Sequence, residues 1–311
     1  MKDKKILITG GFGFIGSYIV DELINNNELI IIDNMSSGKI ENLQNVDHEN
    51  LTIIEKDLND VNLEELLVDI DYVFHLAAMA SVPLSIDNPS ECVRNNLDAT
   101  IKLINACKNN NVKKIIFSSS SSVYGDNTNI PLKESENPLP KSPYAASKAS
   151  GELFLKTYYE SYGLNYISLR YFNVFGPKQD ENSQYAAVIP NFITALLKGE
   201  QPIIYGDGEQ TRDFIYIKDV VNANIKAAES NYNGIINVAS GEKTTINELY
   251  KIISETLGYD IEPKYLPERK GDIKHSLADV NNMKKIDYEV NFNNFENQLK
   301  ETIKWFKKNY N

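Results

Sequence analysis

Tyr144 and Lys148 are the pair of side chains in this sequence whose types and spacing most clearly suggest chemistry. Four residues apart on a helix, a phenol and an ammonium lie on the same face. The ammonium favours the phenolate, so the pair predicts a tyrosine whose pKa is lowered toward neutrality and which can act as a general base. A chain with 18 tyrosines is expected to contain about one or two such pairs by chance. The spacing alone therefore does not identify a catalytic pair, and the position of the two residues in the fold must do so.

Serines occupy all of positions 118–122, directly after a short apolar run that is predicted to be a sheet strand. Ligands of open α/β sheets bind at the carboxyl ends of the strands. The predicted helix that carries Tyr144 begins soon afterwards and can lie across this strand end. A serine hydroxyl beside the phenol would share hydrogen bonds with a substrate oxygen, so we predict a catalytic site here. The alternative interpretation is a serine-rich turn with no catalytic role.

A glycine-rich segment from Gly10 to Gly16 follows the first predicted strand and opens the first predicted helix. Glycine permits the turn and the close approach of the backbone to a pyrophosphate, and the helix N-terminus offers free N–H groups. Asp33 ends the second predicted strand, where a carboxylate accepts the hydroxyls of an adenosine ribose and repels a 2′-phosphate. Because no arginine follows within residues 34–38, the sequence predicts NAD rather than NADP. Asp57, after the third strand, either binds the adenine amino group or caps a helix.

The elements that must position these groups alternate between short apolar strands and longer helical patterns. The strands are continuous and rich in β-branched residues, which is typical of strands buried on both faces of a parallel sheet. This alternation predicts an α/β fold with a doubly wound parallel sheet. The predicted strands are Ile6–Thr9, Leu29–Asp33, Leu51–Glu55, Tyr72–Leu76, Ile115–Ser118 and Tyr166–Phe172, and the predicted helices are Phe14–Asn26, Leu63–Val68, Pro89–Asn110 and Ser142–Tyr162.

The pattern changes after Phe172, and we place the main domain boundary there. A helix is expected over Val188–Lys198, a capping box at residues 245–248 opens another, and apolar spacing predicts an amphipathic helix at the C-terminus. The run Ile235–Val238 is expected to be a strand that returns to the first domain. The prediction is a first domain of residues 1–172 plus about 215–241, and a smaller α/β substrate domain of residues 173–214 plus about 242–311.

Composition and charge exclude several classes of protein. The 311 residues carry a formal net charge of −11, which argues against nucleic-acid binding but allows an anionic small molecule held by a few local cations. Cys92 and Cys107 lie in unrelated contexts and the histidines are isolated, so we expect no disulfide framework and no metal site. We find no signal peptide and no segment long enough to span a membrane. We therefore expect a cytoplasmic protein with a small-molecule substrate and no nucleic-acid or membrane partner.

Together these motifs resemble the extended short-chain dehydrogenase/reductase family over nearly the whole chain, and within it the nucleotide-sugar 4-epimerases. Ala99 stands where family members usually have glycine, which we expect to be harmless. The resemblance implies a Rossmann-type fold, bound NAD, and epimerisation at C4 of a UDP-hexose through a transient 4-keto sugar. The segments that carry it are Gly10-x-x-Gly13-x-x-Gly16, Asp33–Gly38, His75–Ala78, Asn96–Thr100, Ser118–Gly125, Ser142–Lys148 and Arg170–Asn173.

The resemblance also assigns roles to individual residues. It makes Ser120 the catalytic hydroxyl, Tyr144 the base and Lys148 its helper. The residues that it implies for binding NAD are Gly10, Gly13, Phe14, Ile15, Gly16, Asp33, Asn34, Ser36, Ser37, Gly38, Asp57, Leu58, Leu76, Ala77, Ala78, Asn96, Ser118, Tyr144, Lys148 and Tyr171. Those that it implies for binding the UDP-sugar are Ser81, Ser120, Ser121, Tyr144, Asn173, Val188, Phe192, Tyr205, Arg212, Arg269, Asp272 and Ser276.

Differences from related enzymes at a few positions indicate which reaction and which substrates to expect. Related dehydratases carry Asp-Glu directly after the catalytic hydroxyl and related decarboxylases carry Glu, whereas Ser121 and Ser122 stand here, so net elimination is disfavoured. Ser276 is small where a bulky tyrosine closes the pocket in other members, which implies room for UDP-GlcNAc and UDP-GalNAc as well as UDP-Glc and UDP-Gal. The alternatives are a UDP-glucuronate 4-epimerase and a catalytically silent, NAD-binding family member.

A homodimer is also expected. In the family, the helices that correspond to Pro89–Asn110 and Ser142–Tyr162 form a four-helix bundle between two subunits. Here these helices carry more apolar residues than one buried face needs, namely Leu97, Ile101, Ile104, Leu153, Phe154 and Tyr158.

Overall fold

A computed structural model describes residues 1–44, 46–180, 187–268, 274–290 and 292–310. Short strands alternate with helices through the first half of the chain, as the sequence predicts. The strands are β1 (Lys5–Thr9), β2 (Glu28–Asp33), β3 (Leu51–Glu55), β4 (Tyr72–His75), β5 (Lys114–Ser120), β6 (Tyr166–Tyr171), β7 (Asn173–Phe175), β8 (Ile203–Tyr205), β9 (Thr211–Arg212), β10 (Phe214–Tyr216), β11 (Gly234–Val238), β12 (Thr244–Thr245) and β13 (Lys264–Leu266).

The helices cover both faces of the central sheet. A π-helical segment, Val93–Asp98, joins α4 to α5, so the long helix predicted over Pro89–Asn110 is continuous but not regular. The α-helices are α1 (Phe14–Leu23), α2 (Leu63–Leu66), α3 (Val82–Asp87), α4 (Pro89–Cys92), α5 (Ala99–Asn109), α6 (Pro143–Tyr162), α7 (Val188–Leu197), α8 (Ile217–Glu229), α9 (Ile246–Leu257) and α10 (Phe295–Asn309).

The central sheet has seven parallel strands in the order β11-β6-β5-β4-β1-β2-β3. This is the doubly wound arrangement predicted from the sequence, because the chain moves outward in both directions from β1. The strands β1 and β6 are almost wholly buried, as expected when helices cover both faces. Ligand-binding groups are therefore expected at the edge where β1, β2, β4 and β5 end.

The helix α6 carries the predicted catalytic pair, and its ends are well defined. Ser142 caps its N-terminus by accepting the Ala145 N–H, Pro143 occupies the first turn, and Gly163 ends it with φ of +74°. In its middle, a Cβ at Gly151 would lie only 2.7 Å from the Phe117 ring. The missing side chain at Gly151 therefore allows α6 to approach β5 closely.

The second half of the chain forms small paired elements beside the sheet. The strand β7 pairs with β10, β9 with β12, and β8 with β13. The predicted capping box is present at the start of α9, with Thr245 and Glu248 exchanging hydrogen bonds. One hydrophobic cluster runs from Ile6 in β1 to Phe306 in α10, so the two halves share a core. Their division into the two predicted domains stays a prediction.

Differences from the predicted elements are few. The short helix α3, the helix α8 and the two- and three-residue strands were not predicted. Ile104, one of the apolar residues counted toward the expected homodimer, is 1% exposed and packs within the core between α5 and the sheet. It therefore belongs to the face that α5 buries within one chain and does not count toward a dimer contact, and the homodimer stays a prediction. Among the described residues, no helix combines the length and the apolar character that crossing a membrane requires.

Candidate active site

The three predicted catalytic residues meet at the carboxyl end of β5. Ser120 is the last residue of this strand, and its side chain lies close enough to the Tyr144 phenol to lower the pKa of that phenol. Lys148 lies one turn further along α6 and donates a hydrogen bond from Nζ to the Ser118 carbonyl at 2.8 Å. Its Nζ lies 5.9 Å from the centroid of the Tyr144 ring. One helix face thus presents the phenol and the ammonium to a single strand end.

The predicted lowering of the Tyr144 pKa was wrong for this arrangement. Burial raises the pKa of the phenol, and the nearby Ser120 side chain only partly offsets that effect. Burial also lowers the pKa of the Lys148 ammonium to about 8. Desolvation therefore outweighs the attraction between the two groups, and the phenol needs additional stabilisation of its anion to act as a base near neutral pH.

The glycine loop between β1 and α1 has the geometry of a pyrophosphate site. Gly10 has φ of +72°, and a Cβ there would lie 2.8 Å from the backbone nitrogen of Ala77. At Gly13, in contrast, a Cβ would meet only the Gly10 carbonyl oxygen, at 3.3 Å, so the space over this residue is open. No described side chain caps α1 at Gly13, which leaves the first N–H groups of the helix for an anion. These features fit NAD.

Asp33 ties the end of β2 to this loop. One carboxylate oxygen accepts the Phe12 N–H at 2.9 Å and the other accepts the Met35 N–H at 2.8 Å. Gly38 packs against the same place, because a Cβ there would lie 2.8 Å from Phe12 and 3.1 Å from the Asp33 carboxylate. The carboxylate is thus fixed at the strand end where a ribose would lie, and it keeps further lone pairs for the ribose hydroxyls.

Most other predicted cofactor residues follow the same strand ends. The Ala77 N–H donates to the Thr9 hydroxyl, which also bonds His75, and so the end of β4 is fixed against β1. The residues placed along this edge are Asn34, Ser36 and Ser37 after β2, Leu58 after β3, and Leu76 and Ala78 after β4, with Phe14, Ile15 and Gly16 in the first turn of α1.

Asp57 caps a short 3₁₀ helix, as its alternative interpretation predicts. Its carboxylate accepts the Asn59 N–H at 2.8 Å and lies 3.3 Å from the Arg94 guanidinium. Burial would raise the pKa of Asp57, but the hydrogen bonds from Asn59 and the charge of Arg94 hold it below its ordinary value. Binding of the adenine amino group to this carboxylate stays a prediction.

Asn96 uses its amide within the protein. Its Oδ1 accepts the Met79 N–H at 2.7 Å, and its Nδ2 donates to the Met79 carbonyl at 3.2 Å and to the Ser147 hydroxyl at 3.1 Å. Asn96 lies in the π-helical segment Val93–Asp98, so this irregular turn directs it at the loop after β4. The geometry favours a role in holding that loop beside α6, and direct binding of the cofactor stays a prediction.

Ser118 and Tyr171 form a buried polar pair beneath the catalytic residues. Their hydroxyl oxygens lie 3.0 Å apart, and the Tyr171 hydroxyl donates to the Asn224 side chain of α8 at 2.9 Å. Burial raises the pKa of Tyr171 to about 12. The pair therefore stays neutral and supports β5 and β6 from below.

Asp213, to which the sequence analysis assigned no role, holds the predicted substrate residue Asn173. The Asp213 carbonyl accepts two hydrogen bonds from Asn173, one from its backbone N–H and one from its side-chain amide. The fully buried Asp213 carboxylate accepts hydrogen bonds from Ser240, Gly241 and Ala278. Burial raises its pKa to about 6, against the effect of these donors. An acidic residue directly before the apolar strand β10 was the available sequence signal.

Ser276 and Arg212 both contact the carbonyl of Thr211, two residues before Asp213 in the chain. The Ser276 N–H donates to the Thr211 carbonyl at 3.1 Å, and the residue is 8% exposed. The Arg212 guanidinium donates to the Thr211 carbonyl at 3.0 Å. Asp213 thus fixes both the proposed diphosphate ligand and the segment that carries the predicted wall of the sugar pocket.

The remaining predicted substrate residues lie at the ends of helices and strands or in the core. Ser81 caps α3, and Ser121 opens a 3₁₀ helix after β5. Val188 begins α7, and Tyr205 ends β8. Phe192 is 2% exposed and packs edge-on against Tyr250, so its side chain belongs to the hydrophobic core. The predicted ligands Arg269 and Asp272 lie outside the described residues.

The family model of the NAD dependent epimerase/dehydratase family matches residues 6–239. The chain belongs to this family. The described residues include no group of three or more His, Cys, Asp or Glu side chains that could hold a metal ion.

Solved structures and curated relatives match this chain over nearly its whole length. A UDP-N-acetylglucosamine 4-epimerase from Methanobrevibacter ruminantium, solved in complex with UDP-N-acetylmuramic acid, is 65% identical, with a TM-score of 0.98 and 99% of each chain covered. A UDP-glucose 4-epimerase from Thermotoga maritima, solved with UDP-glucose, is 41% identical, with a TM-score of 0.91 and coverage of 99% and 100%. A putative UDP-glucose 4-epimerase from Methanocaldococcus jannaschii is 38% identical over 308 residues, with 98% of this chain and 99% of the relative covered.

The position of Asp33 predicts the choice of cofactor. A 2′-phosphate on the adenosine ribose would meet a buried carboxylate, so NAD should bind at least about tenfold more tightly than NADP, which corresponds to about 1.4 kcal/mol. Asp33→Ser should reduce this ratio, because it removes the charge that repels the phosphate. Isothermal titration calorimetry with both cofactors measures this ratio of affinities. Equal affinities in the unaltered protein would show that Asp33 does not select between NAD and NADP.

Proposed function

We propose that this protein is an NAD-dependent 4-epimerase of UDP-hexoses, with UDP-GlcNAc and UDP-GalNAc among its substrates besides UDP-Glc and UDP-Gal. The observation that carries the proposal is the convergence of Ser120, Tyr144 and Lys148 at one strand end, beside a glycine loop that fits NAD. The 65% identity with a UDP-N-acetylglucosamine 4-epimerase over nearly the whole chain supports it.

Each residue of the site has its own role in the proposed reaction. Bound NAD supplies a reversible acceptor for the hydride of C4. Tyr144 takes the proton of the sugar 4′-hydroxyl and returns it after the 4-keto sugar has presented its other face. Ser120 holds the same oxygen by hydrogen bonding, and Lys148 stabilises the phenolate. Arg212 and Asn173 hold the diphosphate while the sugar turns.

Three alternative functions are less well supported. A UDP-glucuronate 4-epimerase needs a cation near the sugar C6 carboxylate, and we assign no residue to that role. A catalytically silent family member should lack one of the catalytic side chains, whereas Ser120, Tyr144 and Lys148 are all present. Elimination of water or carbon dioxide is disfavoured because Ser121 and Ser122 carry hydroxyls where those reactions use carboxylates.

A turnover assay tests the proposed reaction. Purified protein should interconvert UDP-GlcNAc and UDP-GalNAc with NAD and no external reductant. Tyr144→Phe should lower kcat by about a thousandfold, because it removes the general base. Tyr159→Phe, which removes a phenol from the same helix away from the site, is the matched control and should keep normal turnover. If Tyr144→Phe retained normal activity, the assignment of the base would fail.

The size of residue 276 predicts sugar selectivity. Ser276→Tyr should fill the space that an N-acetyl group at C2 needs, and a clash there moves C4 away from the hydride acceptor. A misplacement near 1 Å can cost about a hundredfold in rate. We expect kcat/KM for UDP-GalNAc to fall by about this factor and kcat/KM for UDP-Gal to change little. Equal losses on both substrates would place the selective wall elsewhere.

We further propose that the protein is a cytoplasmic homodimer joined through α5 and α6. Leu153 is 62% exposed and Phe154 is 38% exposed, and Val93 before α5 adds a third exposed apolar side chain. The two buried cysteines, which form no disulfide, suit a reducing compartment.

The dimer is tested in solution. Light scattering at micromolar concentration should give twice the mass of the chain, and Leu153→Glu should give the mass of one chain, because it places a charge in the apolar contact. Lys156→Glu, a charge change elsewhere on the same helix, is the control. A monomeric unaltered protein would contradict the proposal.

A further inference from the structure

A buried carboxylate lies one helical turn beyond the catalytic lysine. Tyr144, Lys148 and Glu152 follow one another at intervals of four residues on α6, so they form a stripe along one face of the helix. Glu152 is 3% exposed and its side chain points at β5 and β6. The reaction proposed above assigns no role to this residue.

Two neighbours fix the Glu152 carboxylate. Arg170 in β6 binds it through two hydrogen bonds, from Nε at 2.9 Å and from Nη2 at 2.7 Å. The Ser119 hydroxyl in β5 donates to the same carboxylate. The Arg170 side chain is 1% exposed, and its guanidinium lies 4.6 Å from the centroid of the Tyr124 ring. The pair is therefore rigid, dry and matched in charge.

The titratable side chains around the Lys148 ammonium are neutral near pH 7, with one exception. Burial lowers the pKa of His75 in β4 to about 3, raises the pKa of the Cys92 thiol in α4, and raises that of Tyr171 in β6 to about 12. These three side chains are neutral near pH 7, and burial keeps the Tyr144 phenol neutral as well. Among the described residues that act on Lys148, Glu152 alone is an anion there.

Burial itself works against the charged form of Lys148, because its pKa is lowered to about 8. A second buried cation, Arg170, lies on the neighbouring strand. Without an anion between them, the two cations would both be uncompensated in a site of low polarity, and a lysine gives up its proton more readily than an arginine.

We propose that Glu152 is a positioning residue for the reaction, which balances the charge of Arg170 and so keeps Lys148 protonated beside Tyr144. It touches neither substrate nor cofactor and acts through Lys148. The proposal rests on the catalytic role of Lys148 in the proposed function, but the protonation of Lys148 can be measured without turnover.

The test compares two variants that break the same ion pair from opposite sides. Glu152→Gln removes the anion and keeps its shape, so the alkaline limb of the kcat profile should move down by about one pH unit, with a loss of kcat of about fivefold at pH 8 that approaches about tenfold above pH 9, and an unchanged KM. Arg170→Gln leaves the negative charge of Glu152 without its partner, so the alkaline limb of the kcat profile should move to higher pH. Because both variants lose the same contacts, a merely structural role predicts similar losses and no opposite shifts.

Two controls accompany these variants. Ser119→Ala removes a hydrogen bond to Glu152 and keeps every charge, so its profile should stay unchanged. Asp219→Asn replaces a largely buried carboxylate on α8, bonded by Tyr288 and Gln298, and should likewise leave the profile unchanged. A shift of the alkaline limb in either control would show that this limb does not report on the protonation of Lys148.

Nuclear magnetic resonance supplies a readout independent of activity. In protein labelled with ¹³C-lysine, the Lys148 signal is identified by its loss in Lys148→Arg, and its titration midpoint should fall in Glu152→Gln and rise in Arg170→Gln. Unchanged midpoints, or shifts of the same sign, would overturn the proposal. If one of the two variants fails to fold, the other decides, because each predicts a shift of its own sign. No shift of the Lys148 midpoint in that variant, or a shift of the opposite sign, overturns the proposal. Inactive unaltered protein with the expected midpoints would instead refute the proposed function.

Discussion

The close approach of α6 to β5 is the constraint on which the active site depends. At Gly151 the helix backbone lies so near the strand that a Cβ would meet the Phe117 ring. This contact sets the height and rotation of α6, and the hydrogen bond from Lys148 to the Ser118 carbonyl fixes its position along the strand. Tyr144, one turn nearer the helix N-terminus, is then brought to the Ser120 hydroxyl at the strand end. A larger residue at position 151 would move the phenol away from the strand end where substrate must bind.

Local sequence patterns predicted the central sheet well, because strands buried on both faces are continuous apolar runs. The ends of α6 could be predicted for a similar reason, since Ser142, Pro143 and Gly163 act on the adjacent backbone. The helix α8 was not predicted, although its sequence carries an amphipathic pattern, with Val220, Val221 and Ala227 buried and charged residues between them. The two- and three-residue strands of the second half depend on distant partners, and their own sequences carry no strand pattern.

The electrostatics of the site were harder to predict than its residues. The spacing of Tyr144 and Lys148 is visible in the sequence, but the desolvation that raises one pKa and lowers the other depends on everything packed around them. The pairing of Glu152 with Arg170 and the many donors around Asp213 join residues far apart in the chain. Buried charges find their partners only in the folded protein, so a single sequence does not reveal these pairs.

The π-helical segment Val93–Asp98 also limits how this chain can change over generations. An α-helix turns by about 100° per residue, and a π-helical turn accommodates one residue more than a regular turn. Deletion of a single residue here would restore a regular helix and rotate one flank against the other, carrying Asn96 away from the Met79 backbone that it holds. Substitutions in this segment affect one side chain each, whereas a change in its length displaces a whole helix. We therefore expect a change in the length of this stretch to disturb the site more than a single substitution at one of its exposed positions.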